Sequence, residues 1–241
     1  MLDTPSELSI KTSENSPSPI GWERAGVRVH GEEARVSSLS LSQPKRRMAR
    51  SEPLDEAKSS PWAAMLGSFY EKLGLSLPRI VCLGPPELPS PCRRLLAHND
   101  DMTPTLERFY EEPLSLQVHG RDRQGATYLR EVVLVLAGRR TPVEYGVICI
   151  HLEHFPEPVQ TLILAEQHPF GHILETEGIP HLGWPQAFFS IEADARMRRL
   201  LHFNEARLLY GRRNVLLDGR RRLLADVIEI LAPVQTGPHL F

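Results

Sequence analysis

The stretch YLREVVLVL, at residues 128–136, decides the fold class of this chain. It combines β-branched, aliphatic and aromatic residues over a continuous run, which is typical of a β-strand. The turn sequence Gly138-Arg139-Arg140 follows, and a second β-prone run at residues 143–152 brings the chain back. This order of strand, turn and strand predicts an antiparallel hairpin.

A second hairpin is predicted towards the C-terminal end of the sequence. The β-prone runs 208–217 and 223–231 flank Asp218-Gly219, a dipeptide whose glycine supplies the positive φ of a tight turn. Two further strands are predicted at residues 114–118, where apolar and polar residues alternate, and at residues 188–191. Helical spacing predicts helices over residues 61–73, 92–98, 103–110, 158–166 and 194–201. We therefore predict an α+β fold with a single antiparallel β-sheet and helices packed on one face.

Composition divides the chain of 241 residues into two parts. Of its 16 aromatic residues (8 Phe, 5 Tyr and 3 Trp), only Trp22 lies before residue 62, and residues 1–60 are rich in Ser and Pro. Such a segment buries too little apolar surface to offset the entropy of ordering it. We predict that residues 1–60 are disordered and that residues 61–241 form one domain. Translation from Met48 or Met65 is an alternative explanation of the leading segment.

The charge balance bears on partners and location. The chain has 28 Lys and Arg against 30 Asp and Glu, for a net charge of −2, and so lacks the basic excess of a nucleic-acid-binding protein. The basic run at residues 45–50 is either a nucleic-acid patch or a solvated linker, and the overall balance favours the linker. No apolar run approaches the roughly 20 residues of a membrane-spanning helix, and no secretory signal pattern is present. We predict a cytoplasmic monomer with no nucleic-acid or membrane partner.

Cysteine and histidine patterns predict no metal site. The three cysteines are too few and too scattered for a disulfide framework or a zinc knuckle. The pairs His151 with His154 and His168 with His172 have spacings that a metal could use, but no third ligand is grouped with either pair. Ordinary surface or hydrogen-bonding roles are favoured for these histidines.

Two charged residues interrupt the apolar faces of the predicted strands. Arg130 shares a strand face with Val132 and Leu134, and Glu229 shares one with Leu231, because side chains on a strand repeat every two residues. These charges either reach water at an edge, pair with each other, or contact a ligand. An arginine in an apolar cavity suits a carboxylate, and a glutamate nearby suits a hydroxyl. The pattern favours a small ligand that carries both groups.

Four stretches in order resemble the chorismate lyase (chorismate–pyruvate lyase) family. They are Asp101-Met102-Thr103 opening a helix, Tyr128-Leu129-Arg130-Glu131-Val132 on a strand, His168-Pro169-Phe170-Gly171 after a helix, and Tyr210-Gly211-Arg212-Arg213 followed by Glu229-Ile230-Leu231-Ala232-Pro233. The resemblance spans about residues 92–233. It implies an antiparallel sheet with helical flaps over a buried ligand pocket.

The resemblance also implies an activity and a set of site residues. The expected enzyme is a carbon–oxygen lyase that converts chorismate into 4-hydroxybenzoate and pyruvate, on the route to ubiquinone, without a cofactor. Arg130 and Glu229 are the expected catalytic residues. Arg130 grips a carboxylate, Glu229 contacts the polar end of the substrate, the backbone N–H of Phe170 donates to a carboxylate, and Met102 lines the pocket near the flap.

Two departures from the family pattern leave a second interpretation open. Pro-Phe-Gly stands at residues 169–171 where the family has Pro-Leu-Gly, and the distance from Gly219 to Glu229 is longer than expected. The chain is therefore a divergent member whose substrate is chorismate or another small acid. The alternative is a non-catalytic binding domain for a small aromatic or sugar acid, with the fold of regulator ligand-binding domains. The partner in either case is a small molecule.

Overall fold

The computed structural model describes residues 61–234, which contain one seven-stranded antiparallel sheet in the order β1-β5-β6-β7-β4-β3-β2. The strands are β1 (Ile80–Leu83), β2 (Leu114–Gln124), β3 (Thr127–Leu136), β4 (Pro142–His151), β5 (Leu182–Glu192), β6 (Leu208–Leu217) and β7 (Leu223–Leu231). The helices are α1 (Pro61–Lys72), α2 (Cys92–Leu96), α3 (Met102–Tyr110), α4 (Glu157–Ala165), α5 (Phe170–Thr176) and α6 (Ala195–Leu200). The predicted α+β fold with a single antiparallel sheet is confirmed.

The two predicted hairpins form the centre of the sheet. β3 pairs with β4, and β6 pairs with β7. The hairpins join through β4 and β7, where Gly146 lies opposite Glu229. Strands of the two hairpins that are far apart in sequence therefore become direct neighbours, and the polar residues of both hairpins share one sheet face.

Helices cover both faces of the sheet, whereas one face was predicted. α1 and α6 pack on the face that presents Val133, Tyr145 and Ile228. The opposite face presents alternate residues such as Leu134 and Ile148 to α2, α3, α4 and α5. The physical reason lies in β3 and β4, whose apolar runs are continuous instead of alternating, as expected for strands buried on both faces.

The turn between β6 and β7 differs from the prediction in the residue that takes a positive φ. Arg221 has a φ of 63°, and Gly219 does not adopt this conformation. The Asp218 carboxylate holds the turn, since its Oδ1 accepts hydrogen bonds from the backbone N–H groups of Arg220 and Arg222, both at 2.8 Å. Capping by Asp218 stabilises a longer turn than an Asp-Gly pair alone would form.

The predicted leading segment, residues 1–60, lies outside the described residues, so its disorder and the domain boundary stay predictions. Within residues 61–234, no helix is long and apolar enough to cross a membrane.

Candidate ligand-binding site

A cavity lies between the sheet and the helices α3 and α5. Its volume is about 60 Å³, well below the roughly 300–1,000 Å³ of usual small-molecule sites, so an acid the size of benzoate fits only if the covering helices move. All four site residues predicted from the sequence line it, namely Met102, Arg130, Phe170 and Glu229. The other lining residues are Asp101, Thr103, Leu116, Val132, Leu134, Glu144, Gly146, Val147, Ile148, Pro169, Gly171, Asn214, Leu216 and Val227.

The strand register places Arg130 and Glu229 at separate positions on the cavity floor. Arg130 is opposite Ile148, which is opposite Val227. Glu229 lies two residues beyond Val227 on β7 and faces Gly146. Two strand spacings and a two-residue offset put the Cα atoms of Arg130 and Glu229 about 12 Å apart. The two side chains therefore mark separate ends of the cavity.

Arg130 is a buried cation without an ionic partner among the described residues. Only 1% of its surface is exposed, its Nε has no hydrogen-bond partner, and its Nη1 makes one long hydrogen bond of 3.5 Å to the carbonyl oxygen of Ile163. Burial lowers the pKa of Arg130, although an arginine remains charged at neutral pH. Such a charge is costly unless an anion binds beside it.

Glu166 is the acid whose charge acts on Arg130, but its carboxylate oxygens contact other residues. One of its carboxylate oxygens accepts a hydrogen bond from the Tyr128 hydroxyl, and the other lies 3.1 Å from Nη1 of Arg121. Its charge raises the pKa of Arg130 only in part, against the larger effect of burial. The Arg130 guanidinium therefore keeps unused donors at the cavity wall.

Glu229 is paired, but not with Arg130. Its Oε2 accepts a hydrogen bond from Nε of Arg212, the residue opposite it on β6. Arg212 is fully buried and also donates to the carbonyl oxygens of Leu96, His98 and Asp100, at 3.1, 2.7 and 3.1 Å. Arg212 thus fixes Glu229 and ties the segment between α2 and α3 to the sheet. Pairing of Arg130 with Glu229, one of the sequence interpretations, does not occur, and neither residue reaches water at a sheet edge.

Glu144 is a second carboxyl group in the same wall. It lies two residues before Gly146 on β4, is 4% exposed, and its Oε2 has no hydrogen-bond partner among the described residues. Burial raises the pKa of Glu144 well above its usual range, the charge of Glu229 raises it further, and the charge of Arg212 opposes both. Burial therefore favours the neutral carboxylic acid form of Glu144.

The helices α3 and α5 cover the cavity and meet closely. Met102 begins α3 and Phe170 begins α5, and both side chains are buried. A Cβ atom on Gly171 would lie 3.2 Å from Oγ1 of Thr103, so glycine permits this approach. Because α5 begins at Phe170, the backbone N–H of that residue has no acceptor within the helix. Its contact with a ligand carboxylate stays a prediction.

An ion pair links this cover to the start of β5. Nε2 of His181 lies 2.9 Å from Oδ2 of Asp101, and Nδ1 of His181 lies 2.8 Å from the carbonyl oxygen of Ile179. The hydrogen bond to Asp101 raises the pKa of His181, and burial opposes this shift. With an acceptor at each ring nitrogen, the geometry suits the protonated imidazole.

Three polar residues of the site escaped sequence analysis. Glu144 and Asn214 line the cavity, and Arg212 holds Glu229. The pattern that identified Arg130, a charged residue among apolar residues at alternate strand positions, was also present for Glu144. Glu144 shares a strand face with Ile148 and Ile150. Arg212 belongs to a stretch that supported the family resemblance, but its partner depends on the register of β6 with β7.

The histidine pairs form no larger cluster. The rings of His151 and His154 stack 6.1 Å apart, and those of His168 and His172 lie 5.7 Å apart. Within residues 61–234, no three His, Cys, Asp or Glu side chains group in a way that could hold a metal ion.

Comparison with solved structures finds partial similarity to domains of transcriptional regulators. The effector domain of PhnF from Mycobacterium smegmatis has a TM-score of 0.41 and 12% identity, covering 55% of this chain and 88% of that one. The ligand-binding domain of a putative GntR-family transcriptional regulator from Bordetella bronchiseptica has a TM-score of 0.39 and 13% identity, covering 49% and 85%. The C-terminal domain of the histidine utilization repressor from Pseudomonas syringae has a TM-score of 0.35 and 13% identity, covering 52% and 96%. No family model and no curated protein matches the sequence.

The predicted enzymatic activity is wrong. The similar solved structures are described as an effector domain, a ligand-binding domain and the C-terminal domain of a repressor, and none of these three as a carbon–oxygen lyase acting on chorismate in ubiquinone biosynthesis. Arg130 is the one basic side chain among the described residues that line the cavity, beside the acids Asp101, Glu144 and Glu229. The absence of a nucleic-acid partner and the monomeric state stay predictions.

Proposed function

We propose that residues 61–241 form a non-catalytic binding domain for a small carboxylic acid, held in the cavity beneath α3 and α5. The observation that carries this proposal is the buried Arg130 guanidinium, which has an unused Nε donor and no acidic partner among the described residues. A carboxylate fits this guanidinium by two parallel hydrogen bonds and neutralises its charge. The ligand thereby supplies the anion that the protein lacks at this point.

The walls between the two ends of the cavity indicate the middle of the ligand. Val132, Leu134, Ile148, Leu216 and Val227 line this part and offer only apolar side-chain surface. An aromatic or other apolar group in the ligand would bury this surface. Each Å² of apolar surface removed from water stabilises the complex by about 25 cal/mol. Beyond it, Glu229 and Asn214 provide polar contacts for a hydroxyl or amide group. The ligand class is thus a compact acid with a polar group opposite its carboxylate.

Removal of Arg130 tests the proposal directly. Benzoate and 4-hydroxybenzoate serve as probes, with binding followed by isothermal titration calorimetry of the full chain. Arg130→Ala is expected to weaken probe binding by roughly 100-fold or more, because a two-pronged charge-assisted contact is lost. Arg130→Lys, which keeps the charge without the planar fork, is expected to weaken it by about tenfold.

Arg123→Ala is the matched control, since it removes an exposed arginine from the neighbouring strand β2. Its probe affinity should equal that of the unaltered protein, and a truncated chain starting at Pro61 should also bind the probes unchanged. Equal affinity in the protein with Arg130→Ala would contradict the proposal. Incubation with chorismate is expected to release no pyruvate.

A further inference from the structure

Glu144 places an unused polar atom in the cavity wall at the end far from Arg130. Its Oε2 is buried without a hydrogen-bond partner among the described residues. Its Oε1 lies 3.2 Å from the position that a Cβ atom would take on Gly146, and glycine at this position leaves the space for the carboxyl group. The Glu144 side chain thus lies along β4 over Gly146, in the wall of the cavity.

Two carboxyl groups converge over Gly146. Glu229 is the residue opposite Gly146 on β7, and Glu144 reaches over Gly146 from two residues away on the same strand. Arg212, the cation in contact with this pair, binds Glu229 through Nε and has its other nitrogens directed to backbone carbonyl oxygens. It therefore stabilises the negative charge of Glu229 by direct contact and that of Glu144 only through a longer-range attraction.

The two carboxyl groups consequently differ in hydrogen-bonding role. Glu229 accepts a hydrogen bond from Arg212 and is suited to accept another, while a protonated Glu144 has an O–H to donate. A hydroxyl group is matched to this arrangement, because it donates to one oxygen and accepts from the other. A second carboxylate is mismatched, since it has no proton to give to Glu229 and adds a negative charge beside it.

We propose that Glu144 determines the specificity of the cavity: its protonated carboxyl donates a hydrogen bond to the polar end of the ligand, so that the site selects monocarboxylic acids with a hydroxyl group opposite the carboxylate and disfavours dicarboxylic acids. This inference rests on the proposed binding function, since Arg130 must anchor the carboxylate at the other end. Glu144 thus takes part in ligand recognition, a role that burial of the residue alone does not require.

Three probes separate the two ends of the site. Benzoate tests the Arg130 end alone, 4-hydroxybenzoate adds the hydroxyl group, and terephthalate replaces that hydroxyl with a second carboxylate. Affinities are measured by isothermal titration calorimetry at pH 7 on the full chain. For the unaltered protein, 4-hydroxybenzoate is expected to bind about tenfold more tightly than benzoate, the ratio expected for a buried hydrogen bond, and terephthalate less tightly than either.

Two substitutions then isolate the Glu144 donor. Glu144→Leu is expected to lower the affinity for 4-hydroxybenzoate by about tenfold, to the level of benzoate, while benzoate itself binds unchanged. Glu144→Gln keeps an N–H donor at the same place and is expected to retain most of the preference for the hydroxyl group. Glu157→Gln makes the same chemical change at an exposed residue of α4 and should alter nothing.

The outcomes distinguish this inference from the proposed function. If Glu144→Leu keeps the full preference for 4-hydroxybenzoate, or if terephthalate binds the unaltered protein as tightly as 4-hydroxybenzoate, the role of Glu144 is refuted while binding at Arg130 stands. If the unaltered protein binds none of the three probes, the proposed function fails and this inference fails with it. The terephthalate comparison uses the unaltered protein, so it remains decisive whatever the stability of the variants.

Discussion

Arg130 and Glu131 are consecutive residues of β3 and are equally buried, but their surroundings differ. Arg130 faces the cavity and has no ionic partner among the described residues, whereas Glu131, on the other sheet face, is fully engaged. Glu131 accepts hydrogen bonds from Nε of Arg196 at 3.0 Å, from Nη2 of the same arginine, and from the Tyr145 hydroxyl at 2.7 Å. Both residues are buried charges. Glu131 has a structural role because its charge is paired, whereas the charge of Arg130 is available to a ligand because it has no such partner.

The largest expected effect is on stability, and it should separate these two neighbours. Glu131→Gln leaves the Arg196 cation without its counter-charge, which is expected to lower the free energy of unfolding by about 3 kcal/mol. Arg130→Met removes a charge that has no counter-charge in the free protein, and is expected to lower it by less than about 1 kcal/mol or to raise it. Urea denaturation followed by circular dichroism measures both.

Reversal of this order would mean that Arg130 has a structural partner and Glu131 does not. Addition of a bound carboxylic acid sharpens the comparison further. The ligand should stabilise the protein that carries Glu131→Gln and leave the protein that carries Arg130→Met unaffected, because only the latter has lost the binding group.

A smaller effect is expected where the two covering helices meet. Gly171→Ala places a methyl group 3.2 Å from Oγ1 of Thr103, so the helices must separate slightly. We expect a loss of about 1 kcal/mol in the free energy of unfolding and weaker binding of the probes. Gly219→Ala, with no atom within 4 Å of the added methyl group, is the control.

The contact itself can be tested by a double-mutant cycle. Combining Gly171→Ala with Thr103→Ala should recover part of the loss, since the clashing hydroxyl is removed. Simple additivity of the two substitutions would show that the cost arises elsewhere.

The smallest expected effect concerns pH and the pair of His181 with Asp101. The pKa of His181 is raised in the folded protein by its hydrogen bond to Asp101. The stabilisation is therefore fully present below the unfolded pKa of about 6.5 and is lost as the pH rises through the folded value. Because Asp100, Arg108 and Glu175 line the same crevice as His181, the effect is expected to be less than about 1 kcal/mol.

Thermal melts at pH 6 and pH 8 measure this contribution as a difference between variants. The stability advantage of the unaltered protein over His181→Asn should shrink from pH 6 to pH 8, because the charge attraction within the pair is lost as His181 releases its proton. Subtracting the two proteins removes the contributions of the other histidines. An advantage that grows with pH would contradict the assignment.

The sequence revealed part of this site because of one simple periodicity. Arg130 and Glu229 were identifiable because a strand repeats every two residues, so that a charge among apolar alternate positions stands out. Their separation and their partners were not identifiable. Arg212 meets Glu229 only because β6 and β7 pair in a particular register, and Glu131 meets Arg196 only because α6 folds back over β3.

Local signals determined six of the seven strands of the described residues, the two hairpins, most helix positions and the strand faces of Arg130 and Glu229, because each depends on neighbours within a few positions of the chain. Met102 and Phe170 were assigned to the cavity by the family resemblance. Tertiary structure alone decided three other features: that helices cover both sheet faces, that Glu144 joins Glu229 over Gly146, and that the charge of Arg130 has no counterpart within the described residues. Each of these depends on strands and helices brought together from distant parts of the sequence, and on which charged groups remain once those elements have paired.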